Sequence, residues 1–111
     1  MGALPRFEEA VIPKEKFIDY ALNPQKQPHK ALAFQLALGY NLTNAEKLIE
    51  NIKVNLGAHP VKDKGNKGYG DVYEVTMELT GENGKTAKVL TGWLDDPVNG
   101  EMRLTSAYVD K

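Results

Sequence analysis

The sequence predicts an α+β domain, with N-terminal helices packed on a C-terminal antiparallel β-sheet built as a meander. Three observations predict it. Apolar residues recur at three- and four-residue spacing as far as Gly57, then alternate with polar ones from Val72 onward. Asn83-Gly84 and the run Asp95–Gly100 punctuate the alternating half as hairpin turns do. No segment repeats and no tract is of low complexity, so the 111 residues read as a single domain, 1–111. Its helical half lies at about 13–57 and its meander at about 70–110.

Each element follows from local chemistry. Leu4 to Ile12 reads as an extended lead-in. Pro13 suits the first turn of a helix, where its missing N–H is not needed. Phe17, Ile18, Ala21 and Leu22 give that helix an apolar face, and Asn23-Pro24 stops it. After a polar loop, His29 to Leu38 predicts a second helix, apolar on most sides and therefore buried, with Gly39 as its C′ residue. Thr43-Asn44-Ala45-Glu46 matches a capping box. Ala45, Leu48, Ile49, Ile52 and Leu56 then follow at helical spacing until Gly57. His59 to Gly70 reads as a glycine- and lysine-bearing loop, with room for an extra edge strand near His59–Val61. Tyr73, Val75, Met77 and Leu79 mark the first strand of the meander. Thr86 to Leu94 is the second and Met102 to Val109 the third, joined by short turns.

Composition narrows the function classes. Hydrophobic residues make up 41% of the chain and charged ones 26%, as in ordinary globular domains. The longest apolar stretches are only a few residues, so no membrane span is expected and membranes are not among the expected partners. The opening Met1-Gly2-Ala3-Leu4-Pro5 has no apolar core of the signal-peptide kind. Without cysteine there are no disulfides and no thiolate metal ligands. That suits a reducing cytosol, and also an exported domain that unfolds in transit. The net charge is −1, with seven basic against six acidic residues in 1–60 and seven against nine in 61–111. Any nucleic-acid site must therefore be a local patch.

The candidate chemistry gathers in the tail. Thr91 and Trp93 share a face of the second strand, Trp93 serving either the core or a stacked base; both are substrate-binding candidates. In the third strand the alternation groups Arg103 and Thr105 with Ala107 and Val109, and sets Ser106 and Tyr108 opposite with Leu104. An arginine inside an apolar strand calls for a phosphate or carboxylate partner, Asp95, Asp96 and Glu74 being the internal candidates. Upstream, His29 is a natural general acid or base, and Lys30 can stabilise a developing anion. A solvated histidine and lysine at a helix start are the plain alternative. Lys62, Lys64 and Lys67 read as a mobile solvated loop. Asp95-Asp96 lacks further ligands, so no metal site and no cofactor are expected.

One resemblance covers nearly the whole chain, from Leu4 to Val109. The runs Leu22-Asn23-Pro24, His29-Lys30-Ala31, Phe34 and Leu38-Gly39-Tyr40 resemble an uncharacterised bacterial domain family. So do Thr80 to Val89, Thr91-Gly92-Trp93, Arg103-Leu104-Thr105 and Tyr108. Members of that family stand alone or end polymorphic toxins and phage head-morphogenesis proteins. Such domains look like the barnase–EndoU–colicin–RelE ribonuclease superfamily, with helices followed by an antiparallel sheet. The resemblance implies a metal-independent endoribonuclease toxin that cleaves RNA, tRNA included, by 2′-hydroxyl attack. It implies action in the cytoplasm, delivery from a secreted or phage-encoded parent protein, and a cognate immunity or antitoxin partner. It casts His29, Lys30, Arg103, Thr105 and Tyr108 as catalytic: His29 as base or acid, Lys30 as stabiliser, Arg103 on phosphate, Thr105 and Tyr108 orienting the scissile group. The acidic pI and the absence of a decisive motif support a second expectation, a non-enzymatic interaction module such as an immunity-type or phage accessory protein.

Overall fold

In the computed structural model, which describes residues 2–110, the switch in hydrophobic period marks the switch from helix to strand. Helix α1 spans Pro28–Leu38 and α2 spans Ala45–Asn55. Strands β1 (Val61–Asn66), β2 (Asp71–Thr80), β3 (Thr86–Asp96) and β4 (Glu101–Asp110) follow. They pair antiparallel in the order β1-β2-β3-β4, so the α+β meander has four strands. No helix among the described residues is long and apolar enough to cross a membrane.

The extra strand is β1, in the stretch that composition reads as loop. Its residues are polar and largely exposed, so they carry no alternating pattern. An edge strand needs only backbone pairing, and β2 supplies that from Val75 back to Asp71. Lys64 is the extra residue at a bulge in this pairing; Gly65, which follows it at φ 83, pairs with Val72, and its N–H donates to Asp63 Oδ1 at 2.8 Å.

The first expected helix is shorter than its periodicity suggests. It runs over 15–21, an α-helical start with the Ile18 N–H on the Lys14 carbonyl at 3.1 Å that widens into a π-helical turn, Phe17–Ala21, closed by the Leu22 N–H on the Phe17 carbonyl at 2.9 Å. Asn23 ends it, because its side-chain amide donates to the Ile18 carbonyl at 3.1 Å and competes with the next helical bond. Phe17, Ala21 and Leu22 are still buried as the pattern requires.

Helix α1 ends at Gly39 in the left-handed conformation, φ 76, with its N–H on the Gln35 carbonyl. It is not buried all round, however. Ala31, Phe34 and Leu38 face the core, while Leu32 and Leu36 are 53% and 63% exposed. Only one helix layer covers the sheet, so α1 has one buried stripe and a solvent side. Helix α2 behaves as its spacing predicts, burying Ala45, Leu48 and Ile52. Its capping box sits two residues earlier than Thr43–Glu46. The chain enters α2 through a 3₁₀ turn, Leu42–Asn44, capped by Asn41. Asn41 Oδ1 accepts the Thr43 N–H and Asn44 Oδ1 accepts the Asn41 N–H, both at 2.8 Å. Glu46 is left to pair with Lys14 at 2.7 Å, which lowers its carboxyl pKa.

The core lies between this helical layer and one face of the sheet. Val75, Met77 and Leu79 of β2, Val89 and Trp93 of β3, and Met102, Leu104 and Ala107 of β4 meet Phe17, Phe34, Leu48 and Ile52. Helix α1 lies over β3 and β4, and α2 over β2. Val11 pairs with the outer edge of β4: its N–H donates to the Met102 carbonyl at 2.8 Å, and its carbonyl accepts the Leu104 N–H at 2.9 Å. Beyond Leu104 that edge faces the start of α1 and the π-helical turn.

Candidate functional site

The site begins with one extra residue in β4. Gly92 pairs with Ser106, but the next residue, Trp93, pairs with Leu104. Thr105 is therefore the bulged residue, and the bulge inverts the alternation beyond it. Met102 and Leu104 face the core before it, and Ala107 faces the core after it. Arg103 thus shares the outer face with Ser106 and Tyr108 instead of lying opposite them as strict alternation implies. A bulge cannot be read from period-two spacing, because it is a break in that spacing.

Gly92 leaves room for the side chains that the bulge brings over β3. A Cβ there would come within 2.7 Å of Ser106 Oγ and 3.3 Å of Thr105 Oγ1. With only hydrogen at that point, two consecutive hydroxyls crowd over the same strand.

These hydroxyls line a cleft of about 110 Å³ between the β4 edge and the helical layer. Lys16, Tyr20 and Ala21 form one wall from the π-helical turn, and Gln27 and Lys30 form another from the entry to α1. The Lys30 ammonium sits over the Tyr108 ring, 5.3 Å from its centre, and Lys16 sits over Tyr20 at 5.6 Å. Among the described residues neither lysine has an acidic partner. The lining carries no carboxylate, imidazole or thiol. Two ammoniums without acidic partners, two hydroxyls and an amide in a small concavity have the chemistry to receive an anion, in a space that suits a phosphate group rather than a nucleobase.

A family model matches residues 3–111. The chain belongs to the DUF6883 family, a domain of unknown function. No curated protein and no solved structure matches it. The family match spans both the helical layer and the sheet, so the cleft between them lies within the family domain.

Of the residues singled out in the sequence, Lys30 and Thr105 line the cleft and Tyr108 lies under Lys30. His29 does not join them. Successive residues of a helix diverge by about 100°, and His29 stands exposed on the side of α1 away from the core. The second histidine, His59, lies with Asn55 and β2, its Nδ1 3.0 Å from the Asn55 carbonyl. Arg103 pairs with Asp96 at 3.2 Å, rather than with Asp95 or Glu74. Asp96 is buried, and its carboxyl is held below the usual aspartate range. The Val98 N–H does most of this, helped by Asn99 and Arg103 against the opposing effect of burial. Asp95 instead pairs with Arg6, and Glu74 with Lys64 at 3.9 Å.

Thr91 and Trp93 are both fully buried. Trp93 Nε1 donates to Thr91 Oγ1 at 2.8 Å, and Thr91 Oγ1 donates to the Val75 carbonyl at 2.7 Å. Their polar atoms are spent within the core, so in this conformation they offer a substrate no surface. Lys16, Tyr20, Gln27 and Ser106 are the cleft residues that sequence reading passed over. Lys16 and Tyr20 stand one helical turn apart, a spacing visible in the sequence. Only the tertiary fold brings that turn against β4.

Proposed function

We infer that this domain is a metal-independent endoribonuclease of the toxin type, with the β4-edge cleft seating the scissile phosphate. The observation that carries this reading is that Lys16 and Lys30, without acidic partners among the described residues, line one cleft with the adjacent Thr105 and Ser106. The RNA 2′-oxygen attacks the adjacent phosphorus and the bond to the 5′-oxygen breaks, leaving a 2′,3′-cyclic phosphate and a 5′-hydroxyl. Lys16 and Lys30 stabilise the negative charge that builds on the phosphoryl oxygens. Thr105 and Ser106 orient those oxygens. The Tyr108 hydroxyl, beneath Lys30, takes and returns the proton; His29 stands outside the cleft and takes part only when the bound RNA extends past it. Arg103 shares the outer face of β4 with Ser106 and Tyr108, where it would meet a neighbouring phosphate. A toxin of this kind acts in the cytoplasm and is held in check by a cognate immunity or antitoxin protein.

The test is purified wild type, His29→Ala and Lys30→Met, incubated with total bacterial RNA in EDTA and resolved on a denaturing gel. Discrete fragments from wild type, and far fewer from Lys30→Met, are the expected result. Intact RNA with wild type would sink the ribonuclease reading. Wild-type cleavage by His29→Ala would remove His29 from the mechanism.

One observation favours a second reading, a non-enzymatic module that holds a phosphorylated partner: neither histidine lines the cleft. Such a module is harmless when expressed in bacterial cytosol, whereas an active toxin without its partner slows growth.

A further inference from the structure

The two lysines of the cleft occupy the faces of two tyrosines, and this has a consequence for what can enter. Lys16 lies over Tyr20 and Lys30 over Tyr108. Tyr20 is 48% exposed, and Tyr108 is partly exposed on the outer face of β4. A lysine resting on an exposed ring is weakly held, while its long stem lets the ammonium swing to a better partner. A phosphate in the cleft is that partner for both lysines at once. As the ammoniums turn inward, a ring face is uncovered on each side of the phosphate. The flat, apolar faces of nucleobases stack on such rings without regard to sequence.

We propose that the site takes a single-stranded dinucleotide step, its phosphate in the cleft and its two bases stacked on Tyr20 and Tyr108. The proposal rests on the phosphate reading of the cleft given above. A duplex is excluded because its base faces are already covered by their neighbours, and only splayed bases can reach an aromatic side chain. The tyrosines supply recognition through their rings. Their hydroxyls are not needed for it.

Binding can be separated from cleavage with a short fluorescein-labelled 2′-deoxy oligonucleotide, which lacks the attacking hydroxyl. Its affinity is read by anisotropy, single-stranded and annealed to its complement, at fixed salt. Pyrophosphate, titrated by calorimetry, reports on the cleft alone. The single strand should bind at least about tenfold more tightly than the duplex. Tyr20→Leu and Tyr108→Leu should each weaken the single strand about tenfold, a larger loss than either causes for pyrophosphate. Tyr108→Phe should bind the single strand as wild type does. Equal affinity for single strand and duplex would overturn the proposal, as would wild-type binding by both leucine variants, with the phosphate cleft left standing. Absence of pyrophosphate binding to wild type would instead overturn the cleft itself, and this proposal with it. Far-UV circular dichroism verifies that each leucine variant is folded.

Discussion

Thr91→Val separates a structural role for the Thr91–Trp93 pair from a role in substrate binding. The exchange keeps side-chain shape and removes one hydroxyl. That hydroxyl accepts from Trp93 Nε1 at 2.8 Å and donates to the Val75 carbonyl at 2.7 Å, in a region closed to solvent. Valine can do neither. No cavity forms, so the cost is electrostatic: a buried indole N–H without an acceptor costs about 1–3 kcal/mol. The lost hydroxyl bond to the Val75 carbonyl adds about 1 kcal/mol. The expected destabilisation is therefore about 2–4 kcal/mol. For a domain of this size that lowers Tm by about 8–16 °C, at roughly 4 °C per kcal/mol. Thr91→Ser keeps the hydroxyl and loses one methyl group, a cost of about 1 kcal/mol. The ordering is diagnostic, because shape-based packing alone predicts the reverse. A second exchange sharpens it: Trp93→Phe costs stability alone, but in the Thr91→Val background there is no indole N–H left to strand. The two costs should then sum to more than the double variant loses, by about 1–2 kcal/mol. Urea unfolding followed by far-UV circular dichroism gives all four values. Equal stability of Thr91→Val and wild type, or a strictly additive cycle, would refute the reasoning.

Four further outcomes follow from the same structure. Gly81→Ala should destabilise by about 1–3 kcal/mol or more, because a Cβ at Gly81 overlaps the Leu38 carbonyl at the end of α1 and no rotamer relieves backbone; thermal melting reads it. Thr105→Val should leave stability within about 0.5 kcal/mol, since Thr105 is exposed, and should weaken phosphate binding in the cleft measured by calorimetry. Gly92→Ala should also fold, because Ser106 Oγ can rotate away from the new methyl group, yet it should lower pyrophosphate affinity by displacing that hydroxyl. Asp96 provides a pH test. Its folded pKa is depressed, so its contribution is present above the ordinary aspartate value of about 3.9 and is lost as pH falls through the lower folded value. Asp96→Asn should be less stable than wild type at pH near 7, and the gap should narrow in acid; a gap that stays constant on acid titration would contradict it.

The order of elements was legible because each depends on neighbours in the chain. The helix α2 spacing of Ala45, Leu48 and Ile52, the left-handed Gly39 and the Asn83-Gly84 turn need no distant partner to be recognised. Sequence reading failed where the deciding group lies far along the chain or breaks a period. The sequence leaves room for an extra edge strand near His59–Val61, but β1 carries no apolar alternation, so its extent from Val61 to Asn66 was not legible. Helix α1 reads as buried all round, but the fold supplies one sheet face and leaves Leu32 and Leu36 in solvent.

The site divides the same way. Sequence by itself determined the residue types: a lysine at the start of α1, hydroxyls and a tyrosine in the last strand, and no thiols anywhere. It also determined that Trp93 would be apolar ballast or a stacking surface, without choosing between them. Tertiary structure chose, by placing an acceptor 2.8 Å from its indole inside the core. It also decided that Lys16 and Tyr20, about ninety residues from Ser106, share a cleft with it, and that His29 does not. For Ser106 the physical reason is the single extra residue at Thr105. Hydrophobic burial sets which strand face turns inward, but a bulge resets which side chains follow, and the bare Cα of Gly92 on the neighbouring strand leaves their hydroxyls room.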